Sequence, residues 1–389
     1  MRILLFTGKG GVGKTTLAAA TATALAGRGR KTLVVSTDPA HSLGDAFGAA
    51  LGSEPSEVDV RTPLPAGSPA GLWAAQVDSR ELVDRTWSEL RGRLRTLLAG
   101  AGLDTLDAEE LTVLPGVDEL LALGEVQRLA GAGPWDTVVV DCGPTAETLR
   151  LLALPEAVAG YLNKTHGRRG RVAGSVRRLG AHLDSLRELL TDPAVTTVRL
   201  VLTPERVVVA EARRTLTSLA LRGIAVDGLI ANRLMPAPGF WRGSAATWLR
   251  TRRAQQDAVL GELAAAGFGP AELARVEHRA SEPVGAEALA ELARELYGTR
   301  DPLSGNGKSV TPLLQVTPEA EGFRLRVAVP LQRESDVDLA RVDDDLAITV
   351  DGFRRLIALP ETLRACRITG AESDASGLVI SLAGNRGRA

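Results

Sequence analysis

Several residue types are scarce in this sequence, and each shortage argues against a class of protein. The 389 residues include two cysteines, with no CxxC pair, and four scattered histidines, a poor set of ligands for a structural zinc site. No apolar run approaches the roughly 20 residues that a membrane-spanning helix requires. The net charge of −1 provides no general attraction to nucleic acid or anionic lipid. We therefore expect neither an integral membrane protein nor a structural metal.

The amino-terminal residues also lack the form of a secretion signal. Residues 3–6 are apolar, but Thr7, Gly8 and Lys9 follow at once, and the apolar segment of a signal peptide is longer. We expect a cytoplasmic protein.

The length of the chain suggests two domains, because a single hydrophobic core stops growing near roughly 250 to 300 residues. Residues 298–312 are rich in glycine, proline, serine and asparagine and resemble a linker. We predict one domain at residues 1–297 and a second at residues 313–389.

The first part carries short runs of valine, isoleucine and leucine with little alternation, separated by helical patterns. Such runs are typical of strands that are covered on both faces. The predicted strands are residues 2–6, 32–36, 72–77, 137–141, 198–202 and 228–231. This arrangement predicts an α/β fold with a doubly wound, mostly parallel sheet and a helical insertion.

The last part alternates instead. Phe323, Leu325 and Val327 are separated by arginines, and the pair Asp351-Gly352 lies between two apolar runs, as in a hairpin turn. We predict a small all-β sandwich.

One helix and one loop precede the fifth predicted strand. Leu179, Leu183, Leu186 and Leu190 follow the spacing of one helix face, which we interpret as facing the core rather than a partner. Residues 166–174, rich in glycine and arginine, predict a surface loop, with contact to anionic lipid or nucleic acid as the alternative.

The strongest chemical signal is a phosphate-binding motif, GxxxxGK[ST], between the first predicted strand and a helix. Its glycines let consecutive backbone N–H groups point at the phosphates, and the helix start adds a positive dipole end. We expect Lys14 to neutralise the β- and γ-phosphates, Thr15 to bind Mg²⁺ and Thr16 to approach the α-phosphate. The nucleotide-binding residues are Gly8, Lys9, Gly10, Gly11, Val12, Gly13, Lys14, Thr15 and Thr16.

This loop resembles the deviant Walker A motif, KGGxGK[ST], of the arsenite-pump, tail-anchored-protein-targeting, Min, Par and nitrogenase-iron-protein ATPases. The resemblance implies that Lys9 reaches across a dimer interface to the partner's nucleotide, much as an arginine finger does. Since the chain has one such loop, the resemblance implies that the protein is a homodimer.

The stretch STDPAHSLGDAF at residues 36–47 resembles switch I of the arsenite-pump and tail-anchored-targeting branch. The resemblance implies that Asp38 orients or deprotonates the attacking water, so that the catalytic residues are Lys9, Lys14 and Asp38. Without the family, Asp38 before a proline could also be only a turn former.

Residues 141–150 resemble switch II of the same family. Asp141 ends a predicted strand, where a Walker B carboxylate holds Mg²⁺ through water. The chain has Ala146-Glu147 where the family usually has Gly-His. This departure puts in doubt how the switch couples the nucleotide state to the rest of the domain. Cys142 is either a small buried residue or a redox-sensitive thiol, and we favour the former.

The base is expected to be adenine. A guanine-binding protein would offer NKxD, and the nearest string, at residues 163–166, lacks the aspartate. The family resemblance implies that Asn232, after a late strand, contacts the adenine, and residues 282–285 loosely resemble its later base-flanking loop. ATP and Mg²⁺ are the expected cofactors.

The resemblance covers roughly residues 1–297, and the C-terminal part looks like the α-crystallin domain of small heat-shock proteins. Such a domain is attached to a bacterial and plastid branch of this family. We therefore predict an ATP-hydrolysing homodimer that serves as a chaperone or targeting factor for hydrophobic or membrane-protein clients.

Two alternatives stay open. One is a Par- or Min-like organiser that binds DNA or membrane through arginines at residues 168–178, although nucleic acid is disfavoured by the charge balance. The other is the ATPase subunit of an arsenite transporter, disfavoured because the family's cysteine trio is missing. Peripheral membrane contact is compatible with either.

Overall fold

A computed structural model gives the fold. It describes residues 1–38, 42–59, 71–77, 117–142, 172–237, 239–240, 242–265, 272–304, 314–319, 322–328, 331, 335–342, 345–359, 361–374 and 377–383, and elements are numbered within these ranges. The chain separates into two compact units, Met1–Val201 with Arg279–Ser304, and Leu202–His278 with Gly305–Ala389.

Eight strands belong to one mostly parallel sheet, which confirms the predicted α/β class. Their bounds are β1 Arg2–Thr7, β2 Lys31–Ser36, β3 Ser56–Val58, β4 Gly71–Gln76, β5 Thr137–Asp141, β6 Thr196–Leu202, β7 Val226–Leu234 and β8 Glu272–Glu277. In the first unit the order is β3-β4-β2-β5-β1-β6, with β3 antiparallel to β4. In the second unit β7 and β8 pair in parallel.

The six predicted strands are all present, and β3 and β8 were not predicted. β3 has three residues, two of them exposed, and β8 carries charged residues among its apolar ones. Neither offers the continuous apolar run by which the other strands were recognised.

Helices flank the sheet strands in sequence. They are α1 Lys14–Ala26, α2 Ser42–Phe47, α3 Val117–Ala132, α4 Val172–Thr191 and α7 Ala286–Tyr297 in the first unit, and α5 Arg206–Leu221, α6 Ser244–Ala265 and α8 Glu361–Arg364 in the second. The last ten residues of α1 are all buried, because its alanines and threonines are small enough for close packing. None of the described helices combines the length and apolar character needed to cross a membrane.

The predicted leucine helix is α4. Leu186 and Leu190 are buried, as expected of its core face, and the helix ends at Thr191 before Asp192-Pro193. The predicted loop at residues 166–174 ends earlier than expected, since α4 already begins at Val172. The rest of that loop lies outside the described residues.

Two antiparallel sheets form the C-terminal part, in the orders β14-β15-β10-β9 and β11-β12-β13. Their bounds are β9 Leu314–Glu319, β10 Gly322–Val327, β11 Val337–Val342, β12 Asp345–Val350, β13 Phe353–Ala358, β14 Arg367–Asp374 and β15 Gly377–Ala383. Leu325 and Ile380 from one sheet and Ile348 from the other share one buried cluster, so the predicted sandwich is present. Asp351 and Gly352 both have positive φ (50° and 82°), as a type I′ hairpin turn requires.

The segment after α7 is tied to the first unit by arginines. Arg28 at the end of α1 donates to the carbonyl oxygens of Gly298 and Arg300 (3.3 and 2.8 Å), and Arg30 pairs with Asp301. Arg199 on β6 donates to the Tyr297 hydroxyl at 2.7 Å. Residues 298–304 are therefore bound to the first unit by hydrogen bonds and an ion pair.

Candidate functional site

The predicted phosphate loop joins the end of β1, at Thr7, to the start of α1, at Lys14. The strands β4, β2, β5 and β1 run parallel and in register, so their carboxyl ends meet at one edge of the sheet. In open α/β sheets ligands bind at this edge. The loop lies where a nucleotide is expected.

Three glycines of this loop, Gly8, Gly11 and Gly13, have a positive φ, and the first and last of them lie where the loop joins the strand and the helix. Gly8 has φ 151°, and a Cβ atom there would lie 2.1 Å from the carbonyl oxygen of Val201. Gly13 precedes α1 in the left-handed region, with φ 92°, and its carbonyl oxygen accepts the first helical hydrogen bond, from Leu17 N at 3.1 Å. These two residues set the bend that turns the chain from strand into helix.

The tip of the loop faces solvent. Lys9, Gly10 and Gly11 are exposed, whereas Val12 is buried and anchors the loop. The Lys14 ammonium lies 3.5 Å from the Lys9 carbonyl oxygen, so its side chain folds back over the loop. The Lys14 ammonium thus lies close to the backbone of the loop, and the Lys9 side chain is exposed to solvent.

Asp141 is the centre of the site. It is fully buried at the end of β5, and its Oδ2 accepts hydrogen bonds from the hydroxyls of Thr15 (2.6 Å) and Ser36 (3.0 Å). Ser42, at the start of α2, lies 3.0 Å from the Thr15 hydroxyl. With Asp141 ionised, Thr15 gives its proton to the carboxylate, so Ser42 is the donor to Thr15. The loop, switch I and the Walker B carboxylate thus meet in one network.

The charge and hydrogen bonding of Asp141 fit a magnesium site. Burial raises the pKa of its carboxyl above the ordinary value, while the hydrogen bonds from Thr15 and Ser36 oppose that shift. Its Oδ1 is buried and has no hydrogen-bond partner among the described residues. A hydrated cation would satisfy this oxygen, and Mg²⁺ typically takes one or two carboxylates, waters and substrate phosphates. Among the described residues no cluster of three or more acidic, histidine or cysteine side chains forms a protein-only metal cage.

Asp38 lies just beyond the end of β2, beside this network. Its backbone N–H donates to Ser36 Oγ at 3.2 Å, and the N–H of Thr37 donates to the Asp141 carbonyl oxygen at 3.0 Å. Switch I is therefore hydrogen-bonded to Asp141 directly at Thr37 and indirectly at Ser42, whose hydroxyl bonds to Thr15. Residues 39–41 lie outside the described residues.

The proposed adenine contact, Asn232, belongs to the second unit. It is partly buried near the end of β7, where the pairing with β8 shifts between Ala231 and Leu234. Its Oδ1 accepts the N–H of Arg233 at 2.9 Å, and Arg233 has a positive φ of 59°. The strand is therefore irregular at Asn232, and irregularities of this kind are over-represented next to active sites.

The later loop at residues 282–285 meets switch I. The N–H of Gly285 donates to the carbonyl oxygen of Ala46 in α2 at 2.9 Å. The loosely matched segment therefore supports the helix that carries Ser42.

Cys142 is buried, with 3% of its surface exposed, and burial beside Asp141 raises its pKa above the ordinary value. A buried thiol of raised pKa is a poor nucleophile, which supports the interpretation as a small core residue. The rest of switch II, including Ala146 and Glu147, lies outside the described residues.

Sequence reasoning did not single out Ser36, Ser42 or Gln76 as site residues. Ser36 at the end of β2 pairs with Asp141 on β5 and with Gln76 at the end of β4. Aligning the carboxyl ends of the predicted strands could have identified both residues. Ser42 is hidden in a six-residue helix, and only the fold brings its hydroxyl to Thr15.

Two family profiles match the chain. Residues 1–298 match the family described as anion-transporting ATPase, and residues 320–382 match an HSP20-like domain found in that family. The first match covers well over half of the chain.

Several curated proteins are similar over nearly their whole length. Protein Rv2184c of Mycobacterium tuberculosis is 38% identical, over 97% of this chain and 95% of the relative. A putative arsenical pump-driving ATPase of Chlorobaculum tepidum is 32% identical, over 93% and 91%. Putative arsenical pump-driving ATPase 1 of Aquifex aeolicus is 29% identical, over 94% and 95%.

Proposed function

The chain belongs to the anion-transporting ATPase family and hydrolyses ATP, and from this premise we propose that it is a homodimeric switch for hydrophobic or membrane-protein clients. In this proposal ATP closes the dimer, hydrolysis reopens it, and the two states differ in affinity for a client. The role is that of a chaperone or targeting factor.

The observation that carries the proposal is the HSP20-like sandwich on the same chain as the ATPase site. A transporter subunit that only couples ATP to a membrane partner has no evident use for a small heat-shock domain. A client-binding switch has one, since it must shield apolar segments and release them on a signal. The buried cluster of the sandwich includes Leu221 of α5, which ties that domain to the helix preceding β7.

Each residue of the site has a role in this proposal. Lys14 binds the phosphates of its own nucleotide, and Lys9 neutralises charge on the partner's. Asp38 orients the attacking water, while Thr15 and, through water, Asp141 hold the magnesium ion. When bound, that ion would neutralise charge developing on the phosphates.

Asp38→Asn tests the proposal because it should trap the ATP-bound state. We expect hydrolysis to fall by about 10² to 10⁴-fold, since a general base is lost, while nucleotide binding is largely kept. The purified variant with ATP should hold a labelled single-transmembrane-helix peptide or a heat-unfolded soluble enzyme longer than the wild type does. Asp184→Asn, which removes an exposed charge on α4, is the matched control.

The outcome also separates the rivals. Normal turnover in Asp38→Asn would remove that residue from catalysis. Failure to bind either client in any nucleotide state would refute the client-binding role. Co-sedimentation with DNA or anionic vesicles that ATP strengthens and salt weakens would instead support the Par-like alternative.

A second candidate function rests on the names of relatives, several of which are called putative arsenical pump-driving ATPases. It predicts turnover that arsenite or antimonite stimulates. The chain has two cysteines, Cys142 and Cys366, and both are buried, so the thiolate ligands expected for a metalloid are missing from its surface. Unchanged turnover over a metalloid titration would exclude this candidate.

A further inference from the structure

Among the described residues, two buried polar atoms at the phosphate edge of the sheet have no hydrogen-bond partner. One is Oδ1 of Asp141, already described; the other is the side-chain amide Nε2 of Gln76, a residue that is 5% exposed. A buried donor without a partner is costly, and in native proteins it commonly indicates a catalytic role or a missing water or ion. Gln76 is aligned with the site by strand register, but no chemical role has been assigned to its side chain.

Strand register places Gln76 in the site. It is the last residue of β4 and pairs with Ser36 on β2, which pairs in turn with Asp141 on β5. Register partners on adjacent strands project from the same face of a sheet. The hydrogen bond from Ser36 to Asp141 shows that this is the face on which Thr15 and Ser42 lie. Gln76, Ser36 and Asp141 therefore form one polar row at the carboxyl edge of the sheet.

The position within the strand distinguishes Gln76 from other orphaned groups. The hydroxyls of Thr137 and Thr196 are likewise buried without a hydrogen-bond partner in the described part of the chain, but these residues begin β5 and β6. They lie at the amino edge of the sheet, whereas nucleotides bind at the carboxyl edge. A ligand entering beside the phosphate loop can satisfy Gln76 but cannot reach the two threonines.

We propose that Gln76 is a positioning residue that senses the γ-phosphate. Its Nε2 donates to an oxygen that arrives with that group, either a phosphate oxygen or the water ordered beside it. ADP lacks this acceptor, so the amide stays unsatisfied in the ADP state. The inference rests on the ATPase site of the proposed function and is independent of the client.

Gln76→Leu tests this proposal, because it keeps the approximate shape and removes the donor. Without nucleotide the variant should melt at the same temperature as the wild type or higher, since an unsatisfied group is gone. Its affinity for ADP should be nearly unchanged, whereas a non-hydrolysable ATP analogue should bind about tenfold more weakly. The kcat should fall in parallel. Thr137→Val, which removes an orphaned hydroxyl at the opposite edge, should alter neither affinity.

Two results would overturn the inference. An equal loss of affinity for ADP and for the ATP analogue would indicate a purely structural role, and no loss for either would indicate none. If Gln76→Leu fails to fold, Gln76→Glu replaces the donor by an acceptor of the same size, and the same selective loss is expected. Client binding is measured separately, so failure here leaves the proposed function standing.

Discussion

At the scale of single residues, different physical reasons explain why the individual positions of the phosphate loop carry glycine. Gly8 combines a positive φ with an approach to Val201 that leaves no room for a Cβ atom. Gly10 has neither constraint, since a Cβ there would meet nothing within 4 Å. The fold needs the first glycine, whereas the second is needed only when a nucleotide lies against the loop.

Gly8→Ala should therefore destabilise the nucleotide-free protein by at least about 2 kcal/mol, from backbone strain and the clash together. Gly10→Ala should change its stability by no more than about 0.5 kcal/mol. Denaturant unfolding of both variants without nucleotide measures the difference. Equal effects would mean that the loop relaxes around Gly8.

At the scale of elements, α5 contributes to the core of the C-terminal sandwich. Val209 and Leu216 are buried along this helix, and Leu221 at its end is 1% exposed and joins the cluster of the C-terminal sandwich. The start of the same helix is open, since Val207 is 68% exposed. The helix thus connects the two parts that sequence patterns separated.

Leu221→Ala should destabilise the sandwich by about 2 to 5 kcal/mol, as truncation of a buried leucine does. Val207→Ala on the same helix is the control and should lie within about 0.5 kcal/mol of the wild type. Hydrogen exchange of β10, β12 and β15 reports on the sandwich directly. Unaltered protection in Leu221→Ala would show that the sandwich is stable without this contact.

At the scale of the whole molecule, the active unit is expected to be two chains. Lys9 is exposed at the tip of the loop, whereas the Lys14 ammonium lies 3.5 Å from the Lys9 carbonyl oxygen and so stays close to the loop backbone. A cation delivered by a second subunit is the role that the family resemblance assigns to Lys9. One chain would then carry an incomplete site.

Mixing two inactive variants tests this directly. Lys9→Ala and Lys14→Ala should each lose hydrolysis, but a mixed dimer has one complete site, with Lys14 from one chain and Lys9 from the other. A 1:1 mixture of freely exchanging dimers should regain about a quarter of the wild-type rate, since half the dimers have one of two sites intact. An inactive mixture in which subunit exchange is demonstrated would place Lys9 in its own site.

Local patterns in the sequence were sufficient to predict many of the structural elements of this protein. The strands covered on both faces, the glycine-rich loop before α1 and the turn at Asp351-Gly352 are each dictated by residues close together in the chain. For that reason they were predicted with their boundaries nearly correct. The family resemblance rested on equally local stretches, and the profile matches agree with it.

Tertiary structure decided what depends on distant residues. Ser36 reaches Asp141 because parallel register aligns the carboxyl ends of β2 and β5, and Thr15 and Ser42 join this network only when their helices pack against the sheet. The orphaned amide of Gln76 and the place of Leu221 in the sandwich core are likewise invisible to periodicity. Hydrophobic spacing determines which face of an element is buried, but the partner of each buried group is fixed only when the elements pack.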